Sequence, residues 1–299
     1  MEKFLIEIIV TNACNKKCEY CDLNFKQSFI KDDYIEKLAY FINNSQNVEY
    51  FHINFFWWEP LLAYKKLEKF VNYIKISNVK YSVWTNGYLL DNEKLNFFYK
   101  NEIGISLSVD NITGFNKIKK IEEKFLGLIE INFVNDPDYL LNSIRIFDET
   151  IKMWFKTINF MPVFTTKKWD MRRIAELYKI LEYVISYKDK LNINFFGYLD
   201  NISPEKQFIL DTDGYFYADI DSLLWVQKQY TCVNDDLKKE IDNTTKKCHL
   251  LDKDFSFEKL SASYNLKELI DLSVKIPREL KDLMNILLIN KFLENAKRQ

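Results

Sequence analysis

Three cysteines with the spacing of metal ligands stand near the start of the chain, at Cys14, Cys18 and Cys21. Three and then two residues separate them, so these side chains are too close in sequence to form useful disulfide bonds with one another. Thiolates at this spacing can converge on one compact metal centre, and three of them suit a four-iron cluster that leaves one iron open to a different ligand. The segment therefore predicts an iron–sulfur site directly after the apolar run 4–10, which is typical of a buried strand.

The segments that must position this loop alternate between apolar, β-rich runs and stretches of helical periodicity up to about residue 187. Such alternation builds a parallel sheet, and six strands joined by right-handed crossovers curve into a full or an incomplete barrel. We therefore expect an α/β fold, a partial (β/α)6 TIM-like barrel over residues 1–187, followed by a small α+β extension over residues 188–299. The expected strands are 4–10, 48–56, 80–85, 103–109, 128–134 and 157–163, and the expected helices are 32–44, 64–77, 92–101, 114–125, 138–155 and 171–187.

The pattern changes in the extension. After a further apolar run at 191–198, two short β-rich segments at 207–210 and 215–217 flank an Asp-Thr-Asp-Gly turn, which predicts a β-hairpin. Two segments with apolar periodicity, 266–274 and 280–293, close the chain and are expected to be helical.

Residues able to bind ligands follow the predicted strands one after another. Trp57-Trp58-Glu59-Pro60 comes after the second strand and Thr85-Asn86-Gly87 after the third. Ligand-binding loops of α/β barrels lie at the carboxyl ends of the strands, so these residues are expected to share one rim with the cysteine loop. Along or after the later strands come Ser106, Ser108, Asp110, Asn132 and Met161.

In this order the motifs resemble those of the radical S-adenosylmethionine (SAM) superfamily. The resemblance rests on the cysteine loop with Tyr20 before its third cysteine, the Phe-Phe-x-x-Glu-Pro-Leu-Leu segment at 55–62, the Thr-Asn-Gly turn and the Ser108-Val-Asp110 strand end. It covers roughly residues 4–187. It implies a 4Fe–4S cluster whose fourth iron is chelated by SAM. It also implies reductive cleavage of SAM to a 5′-deoxyadenosyl radical that abstracts a hydrogen atom from the substrate.

The resemblance also assigns roles to individual residues. The three cysteines would anchor the cluster, Glu59 would accept from the amino group of SAM, and Ser108 would contact its ribose or carboxylate. Phe160, Met161 and Pro162 would flank the adenine. The residues expected to bind the cofactor are Trp58, Glu59, Thr85, Asn86, Ser108, Asn132 and Met161.

One departure from the family pattern concerns Trp57 and Trp58, which occupy positions where relatives carry two glycines. Glycine lets the backbone approach SAM closely, and two indoles cannot reproduce that absence of bulk. We expect SAM to bind nevertheless, with one indole packed under the strand and the other near the SAM site or the cavity. The opposing interpretation is a site that binds the cluster but uses SAM weakly or differently.

The extension resembles the hairpin of the SPASM or twitch extensions of peptide-modifying members. Ala218 stands where those proteins carry a cysteine ligand of an auxiliary cluster, and only Cys232 and Cys248 remain, so no auxiliary cluster is expected. Their simplest interpretation is two ordinary free cysteines. As weak candidates for catalytic residues, either could return a hydrogen atom to the substrate, as a cysteine does in epimerases of this type.

Composition excludes several classes of function. Lys+Arg 42 against Asp+Glu 43 gives a net charge of -1, which disfavours nucleic acid as a partner. The N-terminal apolar run is too short for a signal peptide or a membrane span, and no later run approaches about 20 apolar residues. Five cysteines, three of them clustered, indicate a reducing cytoplasm rather than a disulfide framework.

The resemblance therefore implies an enzyme that modifies a peptide or protein, for example by epimerisation or crosslinking, with an external electron donor. Three alternatives stay open: radical chemistry on a small molecule, a non-catalytic iron–sulfur protein for binding or electron transfer, and a structural zinc site at the three cysteines.

Overall fold

The structure, a computed structural model, describes residues 2–18, 21, 27–110, 121–135, 140–153, 155–162, 171–187, 192–195, 206–217, 246–253 and 255–257. Its strands form one sheet in the order β10-β9-β8-β1-β2-β3-β4-β5-β6-β7. The run from β8 to β7 is parallel throughout, and only β9 and β10 are antiparallel to their neighbours. The strands are β1 Glu2–Ile8, β2 Val48–Phe55, β3 Val79–Thr85, β4 Ile103–Val109, β5 Ile129–Asn135, β6 Thr157–Pro162, β7 Asn192–Phe195, β8 Lys206–Leu210, β9 Tyr215–Tyr217 and β10 Lys246–His249.

Helices follow β1, β2, β3, β5 and β6 in the described part of the chain, as the alternating periodicity predicts. They are α1 Asp32–Asn43, α2 Tyr64–Tyr73, α3 Asn92–Lys100, α4 Leu140–Lys152 and α5 Met171–Ile185. The side chain of Asp91 caps α3 by accepting from the N–H of Lys94 at 2.9 Å. On α1 the buried residues recur at helical spacing, which packs one face of the helix against the sheet.

The predicted helix at 114–125 falls mostly outside the described residues. Its described end is instead part of a 3-10 helix, Glu123–Leu128, which leads directly into β5. Phe125 is fully buried there and packs against Tyr99 at the end of α3, so a tight turn serves to bury one ring. The two apolar segments predicted at 266–274 and 280–293 also lie outside the described residues. Within the described ranges, no helix has the length and apolar character needed to cross a bilayer.

The two faces of the sheet differ in chemistry. The face under the helices is the hydrophobic core, in which Phe4, Phe51 and Phe55 are fully buried. The alternate residues on the other face are largely polar: Asn54 donates to Glu7 at 3.2 Å and accepts from Ser82 at 2.9 Å. Side chains alternate between the two faces along each strand. The outer face, under the helices, is therefore hydrophobic, and the inner face carries hydrogen-bonded polar side chains.

The hairpin predicted in the extension is confirmed, and the structure adds its location. Strand β8 pairs in parallel with β1, from Phe4↔Lys206 to Ile8↔Leu210, and β9 returns antiparallel to β8. Gly214 closes the turn at φ +85°. The sheet thus continues from the first strands into the extension, whereas the division of the chain at residue 187 stays a prediction.

Candidate metal and cofactor site

The three clustered cysteines lie on a loop that leaves the carboxyl end of β1. Cys14, Cys18 and Cys21 are half-exposed and form no disulfide bond, and the N–H of Cys21 donates to the carbonyl of Cys18 at 3.0 Å. The base of the loop is closed where Thr11 Oγ1 donates to the carbonyl of Ser28 at 2.8 Å. The three cysteines therefore lie on a segment that is fixed at its base.

The donor set, three cysteine side chains on one short loop, suits a thiolate-bound metal. Among the described side chains, no group of three Cys, His, Asp or Glu residues is already gathered as a metal-binding set. Burial raises the pKa of the Cys14 thiol; the N–H of Lys16 opposes this at 3.4 Å from Sγ, while nearby Glu59 and Cys18 add to it. A cysteine binds a metal as the thiolate, so metal binding would release the protons of these thiols. The three side chains are accessible to a metal and are not blocked by a disulfide bond.

An ion pair joins the middle of the cysteine loop to the end of β4. Lys16 Nζ binds Asp110 Oδ2, with 19% and 9% of the two side chains exposed. Burial by itself lowers the pKa of Lys16, but its hydrogen bond to Asp110 and the charge of that carboxylate outweigh burial and raise it. Cys18 Sγ also lies 3.8 Å from Asp110 Oδ2. The sequence interpretation missed Lys16, whose only signal was its place between two cysteines.

Glu59 is a fully buried carboxylate at the centre of the rim. Its Oε1 accepts from Thr85 Oγ1 at 2.7 Å and from the N–H of Leu61 at 3.1 Å, and its Oε2 accepts from the N–H of Asn86 at 2.9 Å. Burial raises the pKa of Glu59, and these hydrogen bonds oppose the rise. A carboxylate offers about four acceptor positions, so the three donors leave Oε2 able to accept one more.

The same residues connect three loops into one structure. The N–H of Glu59 donates to the carbonyl of Ala13 at 3.1 Å, next to Cys14. Asn86 Nδ2 donates to Asn15 Oδ1 at 2.8 Å and lies 3.8 Å from Cys14 Sγ. The cysteine loop, the segment 57–60 and the turn 85–87 are therefore held together by hydrogen bonds.

Trp57 and Trp58 keep a backbone conformation that favours glycine. Their φ angles are 65° and 49°, in the left-handed region, which costs an L-residue roughly 1–2 kcal/mol at each position. Trp58 is 9% exposed and packs against Ile9, which directly follows β1, and against Ile209 on β8. The ring of Trp57 meets Phe56 edge-on with 4.9 Å between centroids.

The predicted residues of the later strands lie on the inner face of the sheet. Ser108 is half-buried and stands in register with Asn132, which is fully buried and accepts from Asn159 Nδ2 at 2.8 Å. No acceptor for Asn132 Nδ2 is present in the described part of the chain. Met161 lies on β6 opposite Val134, and its side chain is outside what the structure describes.

The expectation that Phe160 flanks adenine is wrong. Its ring is fully buried and packs against Phe133 and Phe147, on the helix side of the sheet. Strand alternation places it opposite to its neighbour Asn159, which faces inward. Of the two remaining cysteines, Cys232 lies outside the described residues, and Cys248 is described only as a β10 position opposite Phe216.

Comparison with curated proteins gives partial matches. An S-adenosylmethionine-dependent nucleotide dehydratase from Psychrobacter lutiphocae is 27% identical over 165 residues, 50% of this chain and 53% of that protein. The radical SAM cyclopropyl synthase TigE of Paramaledivibacter caminithermalis is 28% identical over 127 residues, 36% of this chain and 27% of that protein. The chain thus spans about half or less of the length of the curated relatives it matches.

Solved structures share the fold over most of the chain. The anSMEcpe structure with bound AdoMet and the Kp18Cys peptide is 18% identical, with a TM-score of 0.64 over 93% of this chain and 86% of that one. Streptococcus suis SuiB bound to its precursor peptide SuiA is 18% identical, with a TM-score of 0.58 over 81% of this chain and 64% of that one. These likenesses, with the mostly parallel sheet, confirm the expected partial (β/α)6 TIM-like barrel.

The profile of the Radical SAM superfamily matches residues 8–178, which is more than half of the chain and includes the cysteine loop and the rim around Glu59. The protein therefore belongs to the radical SAM superfamily, a superfamily of enzymes.

Proposed function

We propose that this chain holds one 4Fe–4S cluster on Cys14, Cys18 and Cys21 and binds SAM at the adjoining rim. Bound together and given one electron by an external donor, the cluster and SAM would supply methionine and a 5′-deoxyadenosyl radical, which would take a hydrogen atom from the substrate. The substrate proposed is a peptide or protein, modified by a reaction such as epimerisation or crosslinking. Three cysteines without a disulfide bond at the proposed cluster site suit a reducing compartment, and we propose the cytoplasm.

The observation that carries the proposal is the position of Glu59. Its carboxylate is fully buried, is oriented by three donors, and is joined through its own N–H to the residue before Cys14. A buried carboxylate with acceptor capacity left suits a cationic partner, because a partner charge offsets the cost of burying its own. The ammonium group of SAM is such a partner, and Glu59 would bind and orient it beside the cysteines.

The other rim residues would position SAM around that anchor. Thr85 holds Glu59 in place, and Asn86 ties the turn after β3 to the cysteine loop. The backbone of Trp58, held left-handed, is proposed to present its carbonyl as a glycine would. On the inner face, Ser108 and Asn132 would bind polar atoms of the nucleoside, and Met161 is proposed to contact adenine.

A peptide substrate is supported by the solved proteins that share the fold. Both anSMEcpe and SuiB have been solved with a bound peptide, and TigE is named as a cyclopropyl synthase. The nucleotide dehydratase favours a second candidate, radical chemistry on a nucleotide-like small molecule, because it matches half of this chain. A gene for a short precursor peptide next to this one would favour the first candidate. Product formation from a nucleotide, with none from that peptide, would favour the second.

Anaerobic reconstitution tests the proposed chemistry. The purified chain is loaded with iron and sulfide, reduced and mixed with SAM, and 5′-deoxyadenosine is quantified. We expect about four irons per chain, a visible absorbance typical of iron–sulfur clusters, and 5′-deoxyadenosine from wild type but not from Cys14→Ala. Iron loading with intact SAM would indicate a non-catalytic iron–sulfur protein. A colourless zinc protein would refute the proposal.

A further inference from the structure

The indole N–H of Trp57 is a buried donor for which the described residues supply no acceptor. Its Nε1 atom is shielded from solvent although the residue as a whole is only half-buried, and no acceptor for it lies in the part of the chain that the structure describes. Buried polar groups almost always have a hydrogen-bond partner, so an exception at this place calls for a ligand that supplies one.

The surroundings of this donor place it at the cofactor rim. Trp57 packs against the small cluster formed by Ile9, Trp58 and Ile209, and Cys14 packs against the same cluster. Two residues further on, Glu59 bonds to the residue before Cys14. The left-handed φ of 65° at Trp57 holds the indole in this position, where a right-handed backbone would direct it elsewhere.

We propose that the indole N–H of Trp57 donates a hydrogen bond to an anionic acceptor of the group bound beside Cys14, either a sulfur of the iron–sulfur cluster or the carboxylate of SAM. The inference rests on the proposed function and adds a role for a residue that replaces glycine. Hydrogen bonds to anionic acceptors are among the stronger ones, and those to cluster sulfurs raise the reduction potential. The hydrogen bond from the indole N–H would then explain why a bulky tryptophan stands at this position.

The test compares Trp57→Phe, which keeps a ring and removes the donor, with the control Trp84→Phe. Trp84 also packs edge-on with Phe56, with 4.8 Å between centroids, so the control likewise removes one indole from the same group of rings. Three quantities are measured for each protein: the thermal unfolding midpoint without cofactors, the reduction potential of the reconstituted cluster without SAM, and the dissociation constant for SAM.

The proposal expects the cofactor-free Trp57→Phe protein to be as stable as wild type or more stable, because an unsatisfied donor has been removed. A more negative cluster potential identifies sulfur as the acceptor. An unchanged potential with about tenfold weaker SAM binding identifies the carboxylate. Trp84→Phe should change neither quantity. If Trp57→Phe matches wild type in both, or if both variants change alike, the proposal is wrong.

Failure of the proposed function gives a different result. Wild type that takes up neither iron nor SAM refutes both ideas, whereas normal loading with an unaffected Trp57→Phe refutes only this one. Should Trp57→Phe not fold, ultraviolet resonance Raman spectra of wild type follow the indole N–H directly. A strengthened hydrogen bond on loading supports the proposal, and an unchanged N–H band overturns it.

Discussion

The hydroxyl of Thr85 donates to the carboxylate of Glu59 over 2.7 Å, so a residue at the end of β3 orients a side chain that follows β2. The same hydroxyl accepts from the N–H of Gly87 at 3.0 Å and thereby shapes the turn. Gly87 has a φ of +74°, and a Cβ there would lie 2.5 Å from Leu107 Cδ1. The hydroxyl of Thr85 thus orients the Glu59 carboxylate and also stabilises the turn 85–87.

Replacing Glu59 by Gln should weaken SAM binding by at least about tenfold, because a neutral amide loses the attraction to an ammonium group. In addition, the amide has only one acceptor oxygen, whereas the three donors around Glu59 use both oxygens of its carboxylate. Calorimetric titration of the reconstituted protein with SAM measures the change, and the exposed Glu93→Gln serves as the control. Equal affinities for Glu59→Gln and wild type would remove Glu59 from the site.

Replacing Thr85 by Val should lower the free energy of unfolding by about 1–3 kcal/mol, since Glu59 loses a donor and the N–H of Gly87 loses an acceptor in a buried place. Thr85→Ser keeps the hydroxyl and should stay within about 1 kcal/mol of wild type. Urea unfolding of the cofactor-free proteins compares the two. A Val variant as stable as the Ser variant would mean that the hydroxyl is dispensable for the fold.

Glycine should be a better replacement than alanine at Trp57. Both substitutions remove the indole, but only glycine adopts the left-handed φ of 65° without steric cost. Trp57→Gly should therefore be more stable than Trp57→Ala by about 1 kcal/mol in urea unfolding. At the neighbouring position Trp58 the same order is expected, with both variants well below wild type because that indole is buried. If the alanine and glycine variants were equally stable at both positions, that result would argue against a left-handed backbone there.

Serine in place of any one of Cys14, Cys18 or Cys21 should abolish the visible absorbance of the reconstituted protein and most of its iron. Cys232→Ala and Cys248→Ala should keep both, because no auxiliary cluster is expected on them. Iron analysis and absorbance spectra after anaerobic loading distinguish the two groups. Loss of part of the iron in Cys232→Ala or Cys248→Ala would reveal a second cluster.

His52 should make the protein less stable in acid. Burial, and next the charge of Lys80, lowers the pKa of His52 below its ordinary value of 6.5. As the pH falls below 6.5 the unfolded chain binds a proton that the folded chain does not, so stability decreases, by at most about 1.4 kcal/mol per pH unit. Urea unfolding between pH 7 and pH 5 should show a shallower loss for His52→Gln than for wild type. Parallel curves would contradict the shift.

The sequence predicted the elements well because their signals are local. Strand β4 was predicted at its observed bounds from a β-rich run, and the hairpin around Gly214 from its turn residues. Relationships between distant residues had no such signal: Lys16 and Asp110 are 94 positions apart, and only the fold brings them together. The left-handed backbone of Trp57 could not be predicted from the sequence either, because tryptophan by itself favours right-handed or extended conformations.

The position of β8 beside β1 imposes an order on how the protein is made. The base of the cysteine loop is bound by residues synthesised much later: Asn12 Nδ2 donates to Thr212 Oγ1 at 3.2 Å across 200 positions, and the N–H of Ile9 donates to the carbonyl of Leu210 at 2.9 Å. At ordinary translation rates this separation corresponds to roughly 10–40 seconds on the ribosome. During that interval the first strand lacks one of its two neighbours and the nascent thiols lack part of their support, so the earliest chemical motif of the chain is among the last to be assembled.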